Sequence, residues 1–187
     1  MKIVSITEFQ IPFVKLINFE RFMDQRGYFT ETFRASDFIN NELKVFPNGI
    51  MQTNESFSQK NVLRGLHFQA PPFEQTKLVR CISGNILDVA VDLRTSSKTY
   101  GKFFSIELSS KNNKQLFVPK GFAHGFQVLS ETAIVNYKVD NFYNPKSDSG
   151  IIWNDKDLSI DWNLDIKPIL SDKDLKLISF KELKSPF

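Results

Sequence analysis

The chain has 187 residues, of which 41% are hydrophobic, and its 24 basic and 21 acidic residues give a formal net charge of +3. That length suits one domain over residues 1–187, with roughly 70% of the unfolded chain's surface buried on folding. The apolar runs are far shorter than the ~20 residues of a membrane helix. The charges are interleaved, which disfavours a nucleic-acid partner. With a single cysteine, Cys81, no disulfide can form within the chain, and we expect a cytoplasmic protein without a membrane partner.

Short stretches of alternating apolar and polar residues recur along the chain, as in strands with one buried face. The predicted strands are 3–9, 50–57, 62–68, 76–83, 87–93, 103–108, 115–118, 124–129, 132–139 and 151–153. Turn residues such as Pro71-Pro72 and Gly84-Asn85 separate them. Many short strands at this spacing predict an all-β sandwich or barrel.

Helical patterns occur in two places. A weak one covers 35–44, and another starts at 171, where Ser171-Asp172-Lys173-Asp174 is typical of a capping box. We therefore expect short peripheral helices, the second of them in a C-terminal tail.

The two histidines, His67 and His124, both lie in predicted strands beside glycines. A transition metal held by protein usually needs three or four nitrogen, sulfur or carboxylate ligands. Where a metal-binding barrel would carry His-x-His, this sequence has His67-Phe68-Gln69, so it disfavours a metal site. A neutral imidazole beside a carboxylate is instead suited to general-base catalysis near neutral pH.

Three further residues are ambiguous when each is considered alone. Lys77 alternates with Val79 on an apolar face, where an ammonium needs a compensating partner, unless it lies on the opposite face beside Arg80. Tyr137 is either a packed aromatic or a proton donor. Asp174 is either a catalytic carboxylate or the end of a helix cap.

Seven segments, in order from about residue 20 to 175, give a more specific signal. They are DQRGYFTE (24–31), QTNES (52–56), LRGLHFQ (63–69), QTKLVR (75–80), DVAVDLR (88–94), PKGFAHGF (119–126) and SDKD (171–174). Together they resemble the dTDP-4-dehydrorhamnose 3,5-epimerase family. The resemblance implies a cupin-type antiparallel β-barrel (jelly-roll), a homodimer, and neither metal nor organic cofactor.

The resemblance also implies a reaction: epimerisation at C3 and C5 of dTDP-4-dehydro-6-deoxy-D-glucose, a dTDP-linked 4-keto-6-deoxyhexose, to dTDP-4-dehydro-L-rhamnose. By similarity His67 is the base and Asp174 orients it. Tyr137 is the acid on the opposite face of the sugar, and Lys77 stabilises the oxyanion at C4. The implied substrate-binding residues are Arg26, Phe29, Glu31, Gln52, Asn54, Arg64, His124, Tyr143, Asp148 and Lys173.

Three features depart from the family pattern or from regular geometry. Phe68 stands where the family usually has tyrosine, and Asp148 stands where a glutamate often contacts substrate. Arg64 and His67 are three residues apart, so a regular strand would point them to opposite faces. Gly65 predicts a bulge that redirects one of them, and an unbroken strand would remove Arg64 from the site.

Other functions remain open. Within the same class, the chain could be a C3-only or C5-only epimerase, or a ketoisomerase acting on a related nucleotide 4-keto sugar. From another class, it could be a non-catalytic cupin that binds a sugar nucleotide. The complete set of His67, Lys77, Tyr137 and Asp174 favours an enzyme, because a pure binder has no physical reason to keep it.

Overall fold

The computed structural model describes residues 2–11, 13–39, 46, 49–164 and 166–187. Antiparallel strands dominate these parts of the chain, as the all-β prediction expects. The strands are β1 (Ile3–Glu8), β2 (Lys15–Phe19), β3 (Phe22–Asp24), β4 (Gly27–Phe29), β5 (Gln52–Gln59), β6 (Leu63–Gln69), β7 (Lys77–Ser83), β8 (Asn85–Asp92), β9 (Phe103–Ser109), β10 (Lys114–Val118), β11 (Phe122–Val128), β12 (Thr132–Val139) and β13 (Asp148–Gly150).

These strands form two large sheets that share one core. The first sheet has six strands in the order β1-β2-β10-β7-β12-β5, the second has five in the order β13-β6-β11-β8-β9, and β3 pairs with β4 in a separate hairpin. All pairings between these strands are antiparallel. From β5 onwards the chain changes sheet after every strand except β8, so strands that follow one another in sequence mostly lie in opposite sheets.

Apolar side chains from both sheets fill the space between them. Val79 and Val135 come from the six-stranded sheet, Ile86 and Phe126 from the five-stranded sheet, and all four are buried. Burial of each such side chain contributes roughly 1.5–3 kcal/mol. The space between the sheets is therefore a packed apolar core. A cavity can open only where other residues replace these packed side chains.

Strand β8 is buried on both of its faces. Ala90 belongs to the cluster between the sheets, whereas Val89 packs with Trp162 in a second cluster on the outer side. The interpretation of 87–93 as a strand with one buried face is therefore wrong. Its polar members, Asp88 and Asp92, have no exposed surface, so each needs bonding partners inside the protein.

Four strands, β2, β3, β4 and β13, are absent from the predicted set. In β2 the neighbours Leu16 and Ile17 are both buried, which removes the alternation that marks a half-buried strand. β3 and β4 have three residues each, too few for a periodic signal. The predicted strand at 151–153 is also wrong: pairing ends with β13, and Ile151 forms an isolated bridge to Ile178.

The helices are short and peripheral, as predicted. The first is α1 (Ala35–Ile39), and residues 40–44 of that prediction lie outside the described residues. The second is a single 3-10 turn at Asp174–Lys176. The bonds of the predicted capping box are present, since Asp174 N donates to Ser171 Oγ at 3.1 Å and Ser171 N donates to Asp174 Oδ2 at 3.4 Å. No helix of the described residues is long and apolar enough to cross a membrane.

A bulge interrupts β6 at the predicted position. His124 of β11 pairs with His67, and Phe126 pairs with Arg64, so two steps along β11 match three steps along β6. Gly65 occupies the bulge with φ of +117°, and a Cβ there would lie 2.6 Å from the Cα of Gly125. The extra residue cancels the odd spacing, so the side chains of Arg64 and His67 reach the same side of the sheet.

Candidate active site

A cavity of about 490 Å³ opens between the two sheets. β5, β7 and β12 line it from the six-stranded sheet, β6, β11 and β13 from the five-stranded sheet, and the segment 171–174 from the C-terminal part of the chain. Its walls are Gln52, Asn54, Ser56, Arg64, His67, Phe68, Gln69, Gln75, Lys77, His124, Gly125, Phe126, Tyr137, Tyr143, Asp148, Ser171, Lys173 and Asp174. The cavity thus brings together most of the residues that the sequence singles out, from six strands and two further segments.

His67 and Asp174 form a hydrogen-bonded pair in this cavity. The Nε2 of His67 lies 2.6 Å from Oδ1 of Asp174, and the carboxylate also accepts hydrogen bonds from Gly65 N and from the Ser171 hydroxyl. Burial alone would raise the pKa of Asp174, but the hydrogen bonds from His67 and Ser171 outweigh burial and hold that pKa below its usual value. Asp174 therefore stays ionised at neutral pH and can stabilise a positive charge on the imidazole.

The other ring nitrogen of His67 is left for proton transfer. Its Nδ1 is buried and has no hydrogen-bond partner among the described residues. Because Asp174 holds the Nε2–H, the neutral ring carries its lone pair on Nδ1. A nitrogen with a free lone pair can accept a proton, which is what general-base catalysis needs.

Lys77 points into the cavity, which resolves the ambiguity of its face. Its ammonium group lies 3.4 Å from the carbonyl oxygen of His67. Burial lowers the pKa of Lys77 to about 8, against the opposing attraction of the Asp148 and Asp88 carboxylates. The side chain is therefore mainly cationic at neutral pH but close to its titration range.

Tyr137 also faces the cavity, from β12. Burial raises the pKa of its phenol, although the positive charge of Arg64 works in the opposite direction. The hydroxyl therefore stays protonated through the neutral range and can donate a proton. Tyr137 also packs against the apolar cluster between the sheets, so it contributes both to the core and to the cavity wall.

Polar contacts hold the rim of the cavity. The Tyr143 hydroxyl donates a hydrogen bond of 2.8 Å to Asp148, and Lys173 forms an ion pair with the same carboxylate oxygen. Gln52 bonds to Asn54 at 2.6 Å and accepts a bond from the Tyr143 backbone N–H. These contacts join the rim side chains to one another.

Arg64 and His124 complete the wall. Arg64 donates to Ser58 Oγ at 3.0 Å and to the Phe57 carbonyl oxygen at 3.3 Å. His124 lies 2.7 Å from Asp88, a carboxylate with no exposed surface. Asp88 was not among the predicted site residues. In the sequence, Asp88 is an acidic residue within an otherwise apolar strand. That pattern marks the residue as unusual but does not identify His124 as its partner.

Three predicted substrate-binding residues lie away from the cavity of their own chain. Arg26 and Phe29 belong to the β3–β4 hairpin, where the Arg26 side chain is 90% exposed and pairs with Asp24, and Phe29 is 67% exposed. Glu31 follows the hairpin and pairs with Arg34. Within a single chain, the prediction that these three line the site is not met.

The assembled groups can carry out proton transfer at carbon. A base with an ionised orienting carboxylate can take a proton, a cation can stabilise the negative charge that results, and a phenol can give a proton back. Among the described residues, no three His, Cys, Asp or Glu side chains are grouped to hold a metal ion.

Comparisons with known proteins agree with the fold and identify the family. A family model described as dTDP-4-dehydrorhamnose 3,5-epimerase matches residues 8–182. The dTDP-4-dehydrorhamnose 3,5-epimerase of Escherichia coli (strain K12) is 46% identical over 180 residues, which cover 96% of each chain. The enzyme of that name from Methanothermobacter thermautotrophicus is 50% identical over 161 residues, or 85% of each chain.

A solved structure extends the likeness to three dimensions. The dTDP-6-deoxy-D-glucose-3,5-epimerase of Legionella pneumophila, in complex with dTDP-4-keto-L-rhamnose, superposes with a TM-score of 0.92 at 40% identity, covering 96% of this chain and 94% of that one. The barrel and its cavity define a cupin-type enzyme, as predicted. The chain belongs to the dTDP-4-dehydrorhamnose 3,5-epimerase family.

Proposed function

We propose that this protein epimerises dTDP-4-dehydro-6-deoxy-D-glucose at C3 and C5 to give dTDP-4-dehydro-L-rhamnose. The observation that carries the proposal is the one cavity lined by the His67–Asp174 pair, Lys77 and Tyr137. Relatives that are 46% and 50% identical bear the name of this activity. The reaction needs a base, an acid and an oxyanion partner, and these four side chains supply them.

The first step is removal of a carbon-bound proton. The C4 ketone acidifies the hydrogens on C3 and C5, because either carbanion delocalises onto the ketone oxygen as an enolate. His67 takes the proton and Asp174 stabilises the imidazolium that forms. Lys77 supplies positive charge at the enolate oxygen, an effect worth about 3 kcal/mol per donor in measured analogues.

The second step returns a proton to the opposite face of the sugar ring. Tyr137 protonates the carbon as the enolate collapses to the ketone, and the configuration at that carbon is inverted. The phenolate then regains a proton from solvent and the imidazolium loses one, which restores both groups. Because one ketone activates both neighbouring carbons, the same set of residues can serve C3 and C5 in turn.

The remaining cavity residues are proposed to bind the nucleotide part of the substrate. The guanidinium of Arg64 matches the forked acceptors of a diphosphate. Tyr143, on the rim, offers an aromatic face to the base of the nucleotide. Gln52, Asn54, His124, Asp148 and Lys173 complete the proposed binding set.

We further propose a homodimer in which Arg26, Phe29 and Glu31 serve the site of the second protomer. Their hairpin exposes large apolar side chains: Met23 is 71% and Phe29 67% exposed. Such exposure is unfavourable unless a partner covers it. We also propose a cytoplasmic location, since the lone Cys81 forms no disulfide and fits a reducing compartment.

Incubation with the 4-keto substrate in deuterated water tests the reaction. We expect deuterium at both C3 and C5 of an L-configured product, read by NMR. Deuterium at only one of the two carbons would indicate a C3-only or C5-only epimerase. Movement of the keto group to another carbon would indicate a ketoisomerase. Binding without any exchange would leave a non-catalytic sugar-nucleotide binder. His67→Asn is the variant that should abolish the exchange.

Mixed dimers test the shared site. His67→Asn and the double variant Arg26→Ala/Phe29→Ala are each expected to be inactive alone. In a mixed dimer, one site combines an intact His67 with an intact hairpin from the other protomer, so activity should reappear on mixing and subunit exchange. The proposal would be contradicted if both variants were monomeric, or if verified mixed dimers recovered no activity.

A further inference from the structure

Gln69 is a buried residue of the cavity wall that has no part in the proposed reaction. It stands where a metal-binding barrel would carry the second histidine of His-x-His. It lies on β6, pairs with Asp148 of β13, and is only 5% exposed. A buried primary amide needs partners for both donor hydrogens and for its oxygen. These partners indicate what Gln69 does.

The side-chain amide of Gln69 bonds to two loops. Its Nε2 donates to the Phe73 carbonyl oxygen at 2.7 Å and to the Phe142 carbonyl oxygen at 3.1 Å, and its Oε1 accepts the Asn144 N–H at 2.7 Å. All three bonds need the same orientation of the amide, because a flipped amide would set its oxygen against two carbonyl groups. Both donor hydrogens are thus used within the protein, and neither is left for a ligand.

Two of these bonds hold the backbone on either side of Tyr143. The Phe142 carbonyl belongs to the peptide group before Tyr143, and the Asn144 N–H belongs to the peptide group after it. Gln52 Oε1 also accepts the Tyr143 N–H at 3.1 Å. Because peptide groups are planar, holding both of them fixes φ and ψ of the residue between them. Gln69 therefore sets the direction in which the Tyr143 side chain leaves the backbone.

Tyr143 depends on this support because it lies on the exposed rim of the cavity. It belongs to the described segment 140–147 between β12 and β13, which forms no strand, and it is 56% exposed. Its hydroxyl donates to Asp148 at 2.8 Å, so the ring is held at its far end as well. An aromatic side chain that is aligned before a ligand arrives loses less conformational freedom on binding, and this raises affinity.

The third bond of Gln69 connects the loop that follows β6. Asn141 joins this loop to the segment after β12: its carbonyl oxygen accepts a bond from Gln75 at 2.9 Å, and its Nδ2 donates to the Pro72 carbonyl oxygen at 3.0 Å. These contacts join the two loops to each other, whereas Gln69 joins both of them to β6. The support of the rim and the base His67 therefore lie on the same strand.

We propose that Gln69 is a positioning residue for substrate binding, which holds the backbone of Tyr143 so that its ring faces the base of a nucleoside diphosphate. The inference rests on the proposed function, because that function gives Tyr143 the nucleotide base. Gln69 acts through Tyr143 and not by a bond of its own to the ligand. Its loss should weaken binding more than chemistry, since His67 and Asp174 keep their contact.

Gln69→Met tests the inference, because methionine fills about the same space but makes none of the three bonds. We expect the dissociation constant of dTDP, measured by calorimetry, and the KM of the substrate each to rise at least fivefold, with kcat changed less than threefold. An unchanged affinity for dTDP would overturn the inference. If Gln69→Met does not fold, Gln69→Asn replaces it, since its amide is one methylene too short to reach all three partners, and the same outcomes decide.

Gln127→Met is the matched control. Gln127 is a buried glutamine of β11 that donates to the Asn163 carbonyl oxygen at 3.4 Å and is not part of the described cavity wall. Its replacement should lower stability and leave the affinity for dTDP within twofold of the parent. A loss of affinity equal to that of Gln69→Met would overturn the inference, because any buried glutamine would then have the same effect.

Tyr143→Ala distinguishes an effect through Tyr143 from a general loosening of the loops. This variant should itself bind dTDP more weakly, because the ring is gone. Adding Gln69→Met to it should weaken binding less than twofold further, since no ring is left to position. If the two losses multiply instead, Gln69 acts elsewhere and the inference is overturned.

Hydrogen exchange in the ligand-free protein separates this inference from the proposed function. The Asn144 N–H is held by Gln69 Oε1, so its exchange rate, read by NMR, should rise at least tenfold in Gln69→Met and stay unchanged in Gln127→Met. An unchanged rate in Gln69→Met overturns the inference whatever the substrate is. If the rate rises as expected but the parent binds no dTDP, the proposed function fails and the support of the Tyr143 backbone stands.

Discussion

The ammonium group of Lys77 lies 3.4 Å from the carbonyl oxygen of His67, so the cation and the base are fixed to each other through the backbone of β6. In the proposed reaction, the carbon that loses its proton to His67 is bonded to the carbonyl carbon whose oxygen takes the negative charge. Both side chains come from strands, His67 from β6 and Lys77 from β7, and both line the same cavity.

Lys77 should give the enzyme an alkaline limit. With a pKa of about 8, the side chain loses its charge as pH rises through that value, and the enolate oxygen then lacks its cation. We expect kcat to decline above about pH 8, and Lys77→Met to lower kcat by about 10²–10³-fold. Lys138→Met, which removes a partly buried lysine of β12 outside the cavity, is the control. A profile that stays flat to pH 10 would contradict this role.

His67→Ala should greatly slow exchange at C3 and C5. Loss of a general base costs about 10²–10⁴-fold in rate, whereas substrate affinity should change little because the diphosphate contacts remain. The measurement is the rate of deuterium incorporation from deuterated water, followed by NMR alongside the dissociation constant. Undiminished exchange would remove His67 from the mechanism.

Tyr137→Phe should separate exchange from inversion. The base remains, so the proton still leaves and returns, but without an acid on the opposite face it returns mainly from the side of His67. We expect deuterium in recovered substrate of unchanged configuration, and a ratio of exchange to epimerised product at least ten times that of the parent. Equal losses of exchange and inversion would show that the phenol is not the stereochemical donor.

Gly65→Ala should destabilise the protein and damage the site. The backbone there has φ of +117°, and a Cβ would meet Gly125 Cα at 2.6 Å and the His124 carbonyl oxygen at 2.8 Å. Gly27→Ala is the control, since Gly27 has φ of +126° but open space around the Cβ position. The backbone strain alone should cost about 1–3 kcal/mol in either variant. Urea unfolding should show a clearly larger loss for Gly65→Ala, and equal losses would contradict the close approach.

Asp92 should contribute stability that acid removes. Burial would raise its pKa, but hydrogen bonds from Arg94, Ser97 and Thr99 outweigh burial and lower it. A carboxyl whose folded pKa lies below its unfolded value stabilises at pH above the unfolded value, and this contribution is lost as pH falls through the folded one. We expect Asp92→Asn to be less stable than the parent at pH 7, with the difference shrinking below about pH 4. A difference that does not depend on pH would exclude the ionised form as its source.

Local patterns predicted an all-β fold because some of its strands alternate clearly between apolar and polar residues. Apolar residues at every second position in β9 and β12 are enough to identify such strands. β2 and β8 bury both faces, so alternation misses the first and misassigns the second. The bulge at Gly65 was predictable for a different reason. If Arg64 and His67 are to share a face of the strand, a bulge at the glycine between them is the simplest solution.

The site was predictable only as far as the family motifs extend. His67, Lys77, Tyr137 and Asp174 are individually ambiguous, and the motifs rather than periodicity united them. The motifs also assigned Arg26, Phe29 and Glu31 to the site, although these residues lie away from the cavity of this chain. Asp88 and His124 lie on the paired strands β8 and β11, offset from each other by two residues. No single segment of the sequence contains both residues, so local patterns could not predict their contact.

The carboxylate that pairs with His67 comes from a segment with little regular structure. Asp174 reaches β6 from a single 3-10 turn, where its carboxylate is held by Gly65, His67 and Ser171. If that turn detaches while the two sheets stay folded, the imidazole loses its counter-ion. Heating should therefore inactivate the enzyme before its strand circular dichroism changes, and cooling should restore activity as fast as the tail re-docks.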